Sequence, residues 1–196
     1  VGKSTLSRKI AGDLGIQHVI GTDVVRDVLR KVLSVEVMPE LHSPSYSAYK
    51  TLRPIYSSRF EEVILGFENH SKYVNLGVEA VLSRAATESV SIIIEGEHLL
   101  PALFDETILS KPNVLYMTIS VPDPLLHKEN LSSQYTQEKE ELVKHFDDIR
   151  KIHEHIVNET QLRKLSVVET SREVNPLDIV RKLVVDKIVS MVTAES

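Results

Sequence analysis

The sequence predicts an α/β fold, with parallel strands and helices on both faces. Three observations carry this. Short apolar runs (HVIG, SIII, NVLYMTIS, LSVV) alternate with stretches whose apolar residues recur every three or four positions. Two of the runs, SIIIEG and NVLYMTISV, have the continuous apolar character of strands buried on both faces. The opening VGKSTLSRKIAGDLG joins a G-K-S turn directly to a helical pattern.

That opening is the second half of the phosphate-binding pattern G-x-x-x-x-G-K-[ST], in which backbone N–H groups wrap around nucleotide phosphates. Gly2, Lys3 and Ser4 match it. The first Gly of the pattern would lie five residues before Gly2, so the reading expects further residues ahead of Val1. They would include the strand that normally leads into such a loop, making the first strand of the sheet the missing one. After Ser4, Leu6, Ile10 and Leu14 share one helix face, and Gly15 is a plausible stop. A helix beginning at the turn supplies N–H groups and a dipole that attract anions.

The remaining elements follow in order. HVIGTD (18–23) is a strand ending in a turn, and VVRDVLRKVL (24–33) is helical. Residues 38–54 hold Pro, Ser and Tyr, and read as loop with a turn of helix. A long helix starts near Ser58, with Phe60, Val63, Ile64, Phe67, Val74, Val78, Val81, Leu82 and Ala85 on a period near 3.6. SIIIEG (91–96) and NVLYMTISV (113–121) are strands. VPDPLLHKENLSSQYTQ is broken by two prolines, and EKEELVKHFDDIRKIHEHIVNE is one helix with Leu142, Phe146, Ile149, Ile152 and Ile156 on one side. LSVVET (165–170) is the last strand, and PLDIVRKLVVDKIVSMV (176–192) the last helix, with Pro in its first turn. The length suits a single domain over residues 1–196.

Composition narrows the function classes. A formal charge of −5 and no long basic stretch argue against a nucleic-acid surface, while leaving room for a local pocket for a small anion. The chain has no Cys, which removes disulfides, zinc–thiolate sites and thiol catalysis. No apolar run approaches the roughly 20 residues of a membrane helix. The reading therefore expects a cytoplasmic protein with no membrane partner, and says nothing of its oligomeric state.

Ligands of parallel α/β sheets sit beyond the carboxyl ends of the strands. Asp23, then Glu95 with Gly96, Glu97 and His98, then Asp123, each follow a strand, and the Gly2–Thr5 turn lies on the same rim. Phosphoryl transfer asks for positioning, a metal and positive charge. Lys3 suits β- and γ-phosphates, and Ser4 suits Mg²⁺. Asp23 suits orientation or deprotonation of an acceptor hydroxyl, and equally a helix N-cap. Arg26, one turn on, suits an anionic group of the acceptor. Glu95 suits Mg²⁺, through water, or a base role. His98 suits substrate contact or a structural place. His42, Tyr46, Tyr49 and Arg53 mix donors in a way that suits an acceptor pocket, although turn formation explains the surrounding Pro and Ser as well. His153 and His155 are two apart on a helix and point to different sides, which opposes a shared metal.

At this point the blocks VGKSTLSRKIAGDLG, IGTDVVRDVLRKV, LHSPSYSAYKTL, ILGFENH, IIIEGEHLLP and HFDDIRKIHEHIV resemble, in the same order, the archaeal 2-phosphoglycerate kinases. The resemblance runs over most of the chain. It implies a three-layer P-loop kinase fold that uses ATP and Mg²⁺ to phosphorylate the 3-hydroxyl of 2-phosphoglycerate, giving 2,3-bisphosphoglycerate. By matching block, Gly2, Lys3, Ser4 and Thr5 would bind nucleotide phosphates and metal, and Asp23 and Arg26 would face the acceptor. His42, Ser45 and Tyr46, and Glu95 with His98, fall in two further matching blocks. The resemblance also implies lid arginines near 122–145. This sequence has no Arg from Pro122 to Asp148, so a reduced lid is expected there.

Overall fold

A computed structural model describes residues 2–52, 59–133 and 139–194. Arg53 and the side chain of Phe60, both singled out above, lie outside the described residues.

Helix α1 (Lys3–Leu14) starts at Gly2, whose left-handed φ of 83° makes the turn, and ends at Gly15, left-handed at 66°. Glycine is the residue that adopts this conformation without steric cost. Strand β1 (His18–Gly21) runs straight into α2 (Thr22–Val32). The helix therefore begins two residues earlier than the sequence pattern suggests. Gly21 is its N-cap, and Asp23 lies inside the first turn, where its charge complements the helix dipole. The capping role weighed for Asp23 falls away.

Residues 38–52 form two 3-10 helices, Pro39–His42 and Ser45–Thr51. Next comes the long α3 (Arg59–Thr87). Its stripe is buried as the period requires: Val63, Phe67, Val74 and Val78 are all buried. Strand β2 (Ile92–Glu95) leads to a 3-10 turn at Pro101–Leu103 and a short helix, α4 (Glu106–Leu109). Strand β3 (Met117–Ser120) is followed by α5 (Pro124–Ser132), capped by Asp123, whose carboxylate accepts from the Leu125 N–H at 2.8 Å. The helix expected as one piece is two, α6 (Lys139–Lys144) and α7 (Phe146–Leu162), with His145 at the break. Strand β4 (Ser166–Glu169) and α8 (Pro176–Ala194) complete the described chain. No helix among the described residues is long and apolar enough to cross a membrane.

The strands pair in parallel, as expected, but as two pairs rather than one continuous sheet. β1 lies beside β2 with Gly21 opposite Glu95, and β3 beside β4 with Ser120 opposite Glu169. β2, which was expected to be fully buried, is only half-buried at all four residues.

Alternation along the strands sets the layers. Ile93 joins Ile10, Val168, Leu177 and Val180 beneath α1 and α8. Its neighbour Ile94 joins Leu41, Val74, Val78 and Phe104, beneath α2 and α3. In β3, Met117 and Ile119 face the α1–α8 cluster, while the Thr118 hydroxyl meets Thr160 of α7 at 2.7 Å on the other face. The result is the expected three-layer α/β arrangement. A third cluster (Tyr49, Val63, Phe67, Leu100, Ile152) ties the 3-10 helix at 45–51 to α3 and α7. The approach is so close that a Cβ on Gly66 would stand 2.3 Å from the Tyr49 backbone nitrogen.

Candidate functional site

The rim at the carboxyl ends of β1 and β2 is built from three side-chain pairs. In the first turn of α1, the Ser4 hydroxyl donates to Glu95 Oε1 at 2.6 Å. Gly21 faces the same carboxylate, and a Cβ there would lie 3.6 Å from its oxygen. In the second pair, the Thr22 hydroxyl shares a 2.7 Å hydrogen bond with His98 Nδ1. In the third, the Ser45 hydroxyl donates to Glu97. The loop that carries Glu97 and His98 reaches this position through Gly96, where a Cβ would stand 1.7 Å from Thr22 Oγ1. No side chain fits between the two strand ends at that point.

Electrostatics bind these pairs to Lys3 and Asp23. Desolvation opposes ionisation of Glu97, yet the neighbouring His98 and Lys3 and the Ser45 hydroxyl outweigh it and hold the carboxyl below its ordinary range. His98, 1 % exposed, is pushed down first by burial, while Glu97 and Asp23 pull the other way and Arg26 and Lys3 add to the fall. Lys3, Asp23, Arg26, Glu97 and His98 thus feel one another's charge across one cleft. Behind His98 stands His70, stacked at 4.8 Å between ring centroids and fully buried. Burial drives it down to about 3, and neither ring nitrogen has a hydrogen-bond partner among the described residues. Asn75 Nδ2 donates to the His98 carbonyl at 2.9 Å and fixes the loop.

Other residues singled out from the sequence have mainly architectural contacts. Arg26 donates from Nε to the Leu41 carbonyl at 2.9 Å and from Nη2 to that of Ser43 at 2.8 Å, strapping the 39–51 segment to α2. His42 Nε2 donates to the Leu33 carbonyl at 2.9 Å, tying the same segment to the end of α2. The Tyr46 ring stacks on His145 at 5.0 Å, at the break between α6 and α7. Thr5 is exposed in the first turn of α1.

The second rim, beyond β3 and β4, is built differently. Arg150 uses Nη1 on the Val121 carbonyl (2.6 Å), Nη2 on that of Pro122 (2.8 Å) and Nε on Glu154 (2.8 Å). All three of its nitrogens are engaged in holding the chain between β3 and α5. His153 Nε2 meets the Ser120 hydroxyl at 3.3 Å, while His155 turns the other way to Glu68 at 2.9 Å, as their spacing requires.

Sequence reasoning noted Glu97 without giving it a role, and it missed Thr22, His70 and His127. The G-T-D and E-G-E-H strings held the signal for the Thr22–His98 pair: small residues at a strand end mark close approach, and polar ones beside them mark pairing. His70 carried no signal, since a histidine on a helical stripe reads as core or surface alike.

Ser4 and Glu95 present hard oxygen donors side by side. That suits Mg²⁺, which takes one or two protein oxygens and fills its octahedron with water and phosphate. Among the described residues no cluster of three or more His, Cys, Asp or Glu side chains forms a cage of its own for a metal.

No protein-family model matches the chain, and no solved structure matches it. Curated relatives do. The 2-phosphoglycerate kinase of Methanothermobacter thermautotrophicus is 36 % identical over 187 residues, covering 93 % of this chain and 61 % of the relative. That of Methanocaldococcus jannaschii is 34 % identical over 198 residues, covering 100 % and 63 %. That of Thermococcus kodakarensis is 34 % identical over 172 residues, covering 86 % and 57 %. The chain thus spans about three-fifths of the length of the relatives it matches. With a G-K-S turn, a strand-end carboxylate bonded to its serine and a parallel α/β frame, this chain is similar over most of its length to the archaeal 2-phosphoglycerate kinases.

Proposed function

We infer that this chain is the phosphoryl-transfer domain, over residues 1–196, of an ATP-dependent small-molecule kinase, and that its acceptor is the 3-hydroxyl of 2-phosphoglycerate. The single observation that carries this reading is the Ser4–Glu95 hydrogen bond, which joins the phosphate turn to a strand-end carboxylate. The names of the curated relatives support the choice of acceptor.

Each residue has a defined task. Gly2 lets the turn close without a side chain, and the first N–H groups of α1, which have no side-chain cap, face the phosphates. The Lys3 ammonium holds the β- and γ-phosphates, and Thr5 adds a hydroxyl. Bound Mg²⁺ would neutralise phosphate charge and polarise the bond that breaks. Ser4 and Glu95 would hold it. Asp23 orients the acceptor hydroxyl and takes its proton as the hydroxyl oxygen bonds to the γ-phosphorus and the bond from that phosphorus to the β–γ bridging oxygen breaks, with ADP leaving. His98, fixed by Thr22, and Glu97, fixed by Ser45, shape the acceptor pocket. Arg26 positions the 39–51 segment, which brings Ser45 to the site, and His42 and Tyr46 belong to that acceptor side.

The engagement of Arg150 and the lack of arginine from 122 to 148 favour a second reading, a nucleotide-binding module without transfer. One assay separates the two. The purified protein is incubated with ATP, Mg²⁺ and 2-phosphoglycerate, and ADP is followed alongside thermal stabilisation by ATP. Acceptor-dependent ADP, lost by at least about 10³-fold in Lys3→Ala, supports the kinase. Stabilisation by ATP without acceptor-dependent ADP supports the module. Stabilisation that survives unchanged in Lys3→Ala refutes the assignment of the turn.

A further inference from the structure

The second rim holds a pair of imidazoles that the reading above does not use. His127 lies one turn into α5, is 4 % exposed, and has no hydrogen-bond partner for its Nδ1 among the described residues. Its ring is 4.9 Å from that of His153 on α7 and packs edge-on against Phe146 at 5.5 Å. His153 in turn reaches Ser120 at the end of β3. A buried polar atom without a partner costs free energy, so an orphaned Nδ1 at the ligand edge of a sheet marks a contact that the empty protein leaves unmade.

The charges around the pair are lopsided. From α1 comes Lys3 and from α7 comes Arg150; both act on both rings. Lys128 of α5 lies over the Phe146 ring at 5.6 Å. β3 contributes only the Ser120 hydroxyl. The nearby carboxylates are Glu154, already paired with Arg150, and the exposed Glu169 of β4, which lines the same recess as His153. Burial comes first for both rings and holds His127 down to about 4 and His153 down to about 3; Arg150 and Lys3 add to both, and His127 adds to the fall of His153. A polyphosphate seated at Lys3 would reverse the local field.

We propose that the His127–His153 pair takes up one proton from solvent when nucleotide polyphosphate binds at the Lys3 turn. The resulting imidazolium donates to the phosphates on the side where the sequence has no arginine. This rests on the nucleotide reading of the Gly2–Thr5 turn and adds to it a group that acts only in the bound state.

The test is calorimetric titration of the protein with the Mg²⁺ complex of a non-hydrolysable β,γ-imido ATP analogue, in two buffers of different ionisation enthalpy. At pH 6 binding takes up a proton, and the uptake shrinks by pH 8. His127→Asn and His153→Asn each retain binding, weakened about tenfold at pH 6 and less at pH 8, and lose the uptake. Because either variant can perturb folding, imidazole chemical shifts of the wild-type protein give an independent reading: one imidazolium's worth of shift appears among the eight histidines on adding the analogue, on one ring or shared between two. Binding with no proton uptake, or uptake that persists in both variants, overturns the proposal and leaves the nucleotide reading intact. Failure of the analogue to bind, or binding indifferent to Lys3→Ala, overturns the nucleotide reading itself.

Discussion

Two histidine pairs flank the phosphate turn, and they are built on opposite principles. At the first rim, His98 stacks on His70, bonds to Thr22 and lies beside Glu97 and Asp23. At the second, His127 stands against His153 with Lys3 and Arg150 as charged neighbours. His98 is wired to Thr22 and faced by the carboxylates of Glu97 and Asp23, while His70 behind it is held by packing alone. The second pair is packed by rings and faces cations. A group already satisfied holds a geometry, whereas one left unsatisfied among cations waits for an anion. On the proposed function, the first rim serves acceptor and metal, and the second the nucleotide's phosphates.

The sharpest attack on this comparison is at the first rim. Glu95→Ala removes the partner of Ser4 and should lower kcat by about 10²–10³-fold, with a raised Mg²⁺ requirement. A variant with normal activity at low Mg²⁺ would show that the wiring of this rim has no part in the reaction. At the second rim, Arg150→Lys loses the fork that holds the Val121 and Pro122 carbonyls. A loss of about 2 kcal/mol, or roughly 4–8 °C in Tm, should accompany weaker nucleotide binding. Weaker acceptor binding instead would reverse the assignment of the two rims.

A smaller effect separates the pairs by pH. His70 sits at about 3 when folded, against the usual 6.5 of an exposed imidazole, so the folded state binds fewer protons than the unfolded one. Its contribution is complete above pH 6.5 and drains away as pH falls from there toward 3. His70→Phe should leave stability at pH 7 nearly unchanged and remove up to about 1.4 kcal/mol per pH unit from the acid limb, read from Tm at pH 7, 6 and 5. An acid limb as steep as that of the wild type would show that His70 does not carry it. The smallest effect belongs to Thr22→Val, which leaves His98 Nδ1 without its partner: about 1 kcal/mol of stability, with a raised KM for the acceptor and a near-normal KM for ATP. A change confined to the nucleotide would place His98 on the other side of the cleft.

Particular residues show how far the sequence reached. Leu6 and Ile10 and the α3 stripe from Val63 to Val78 fell where their periods required, because burial of apolar surface dominates folding and period encodes burial. The G-K-S turn and the strand-end Glu95 converged for the same reason: parallel topology brings strand ends to one edge. The break at His145 and the early start of α2 were not legible, since helix limits depend on caps and contacts from distant chain. Arg26 and His42 read as ligand-facing donors, and the fold spends them on backbone carbonyls, which in a buried segment must find partners somewhere.

The sequence by itself therefore determined the α/β frame, the phosphate turn and the edge on which chemistry gathers, since all three follow from periodicity and chain order. Only the tertiary structure decided which polar groups pair with one another and which remain open. Donors and acceptors near in space are far apart in sequence, Ser4 from Glu95 and Thr22 from His98, and hydrogen bonding is set by ångströms that no spacing along the chain records.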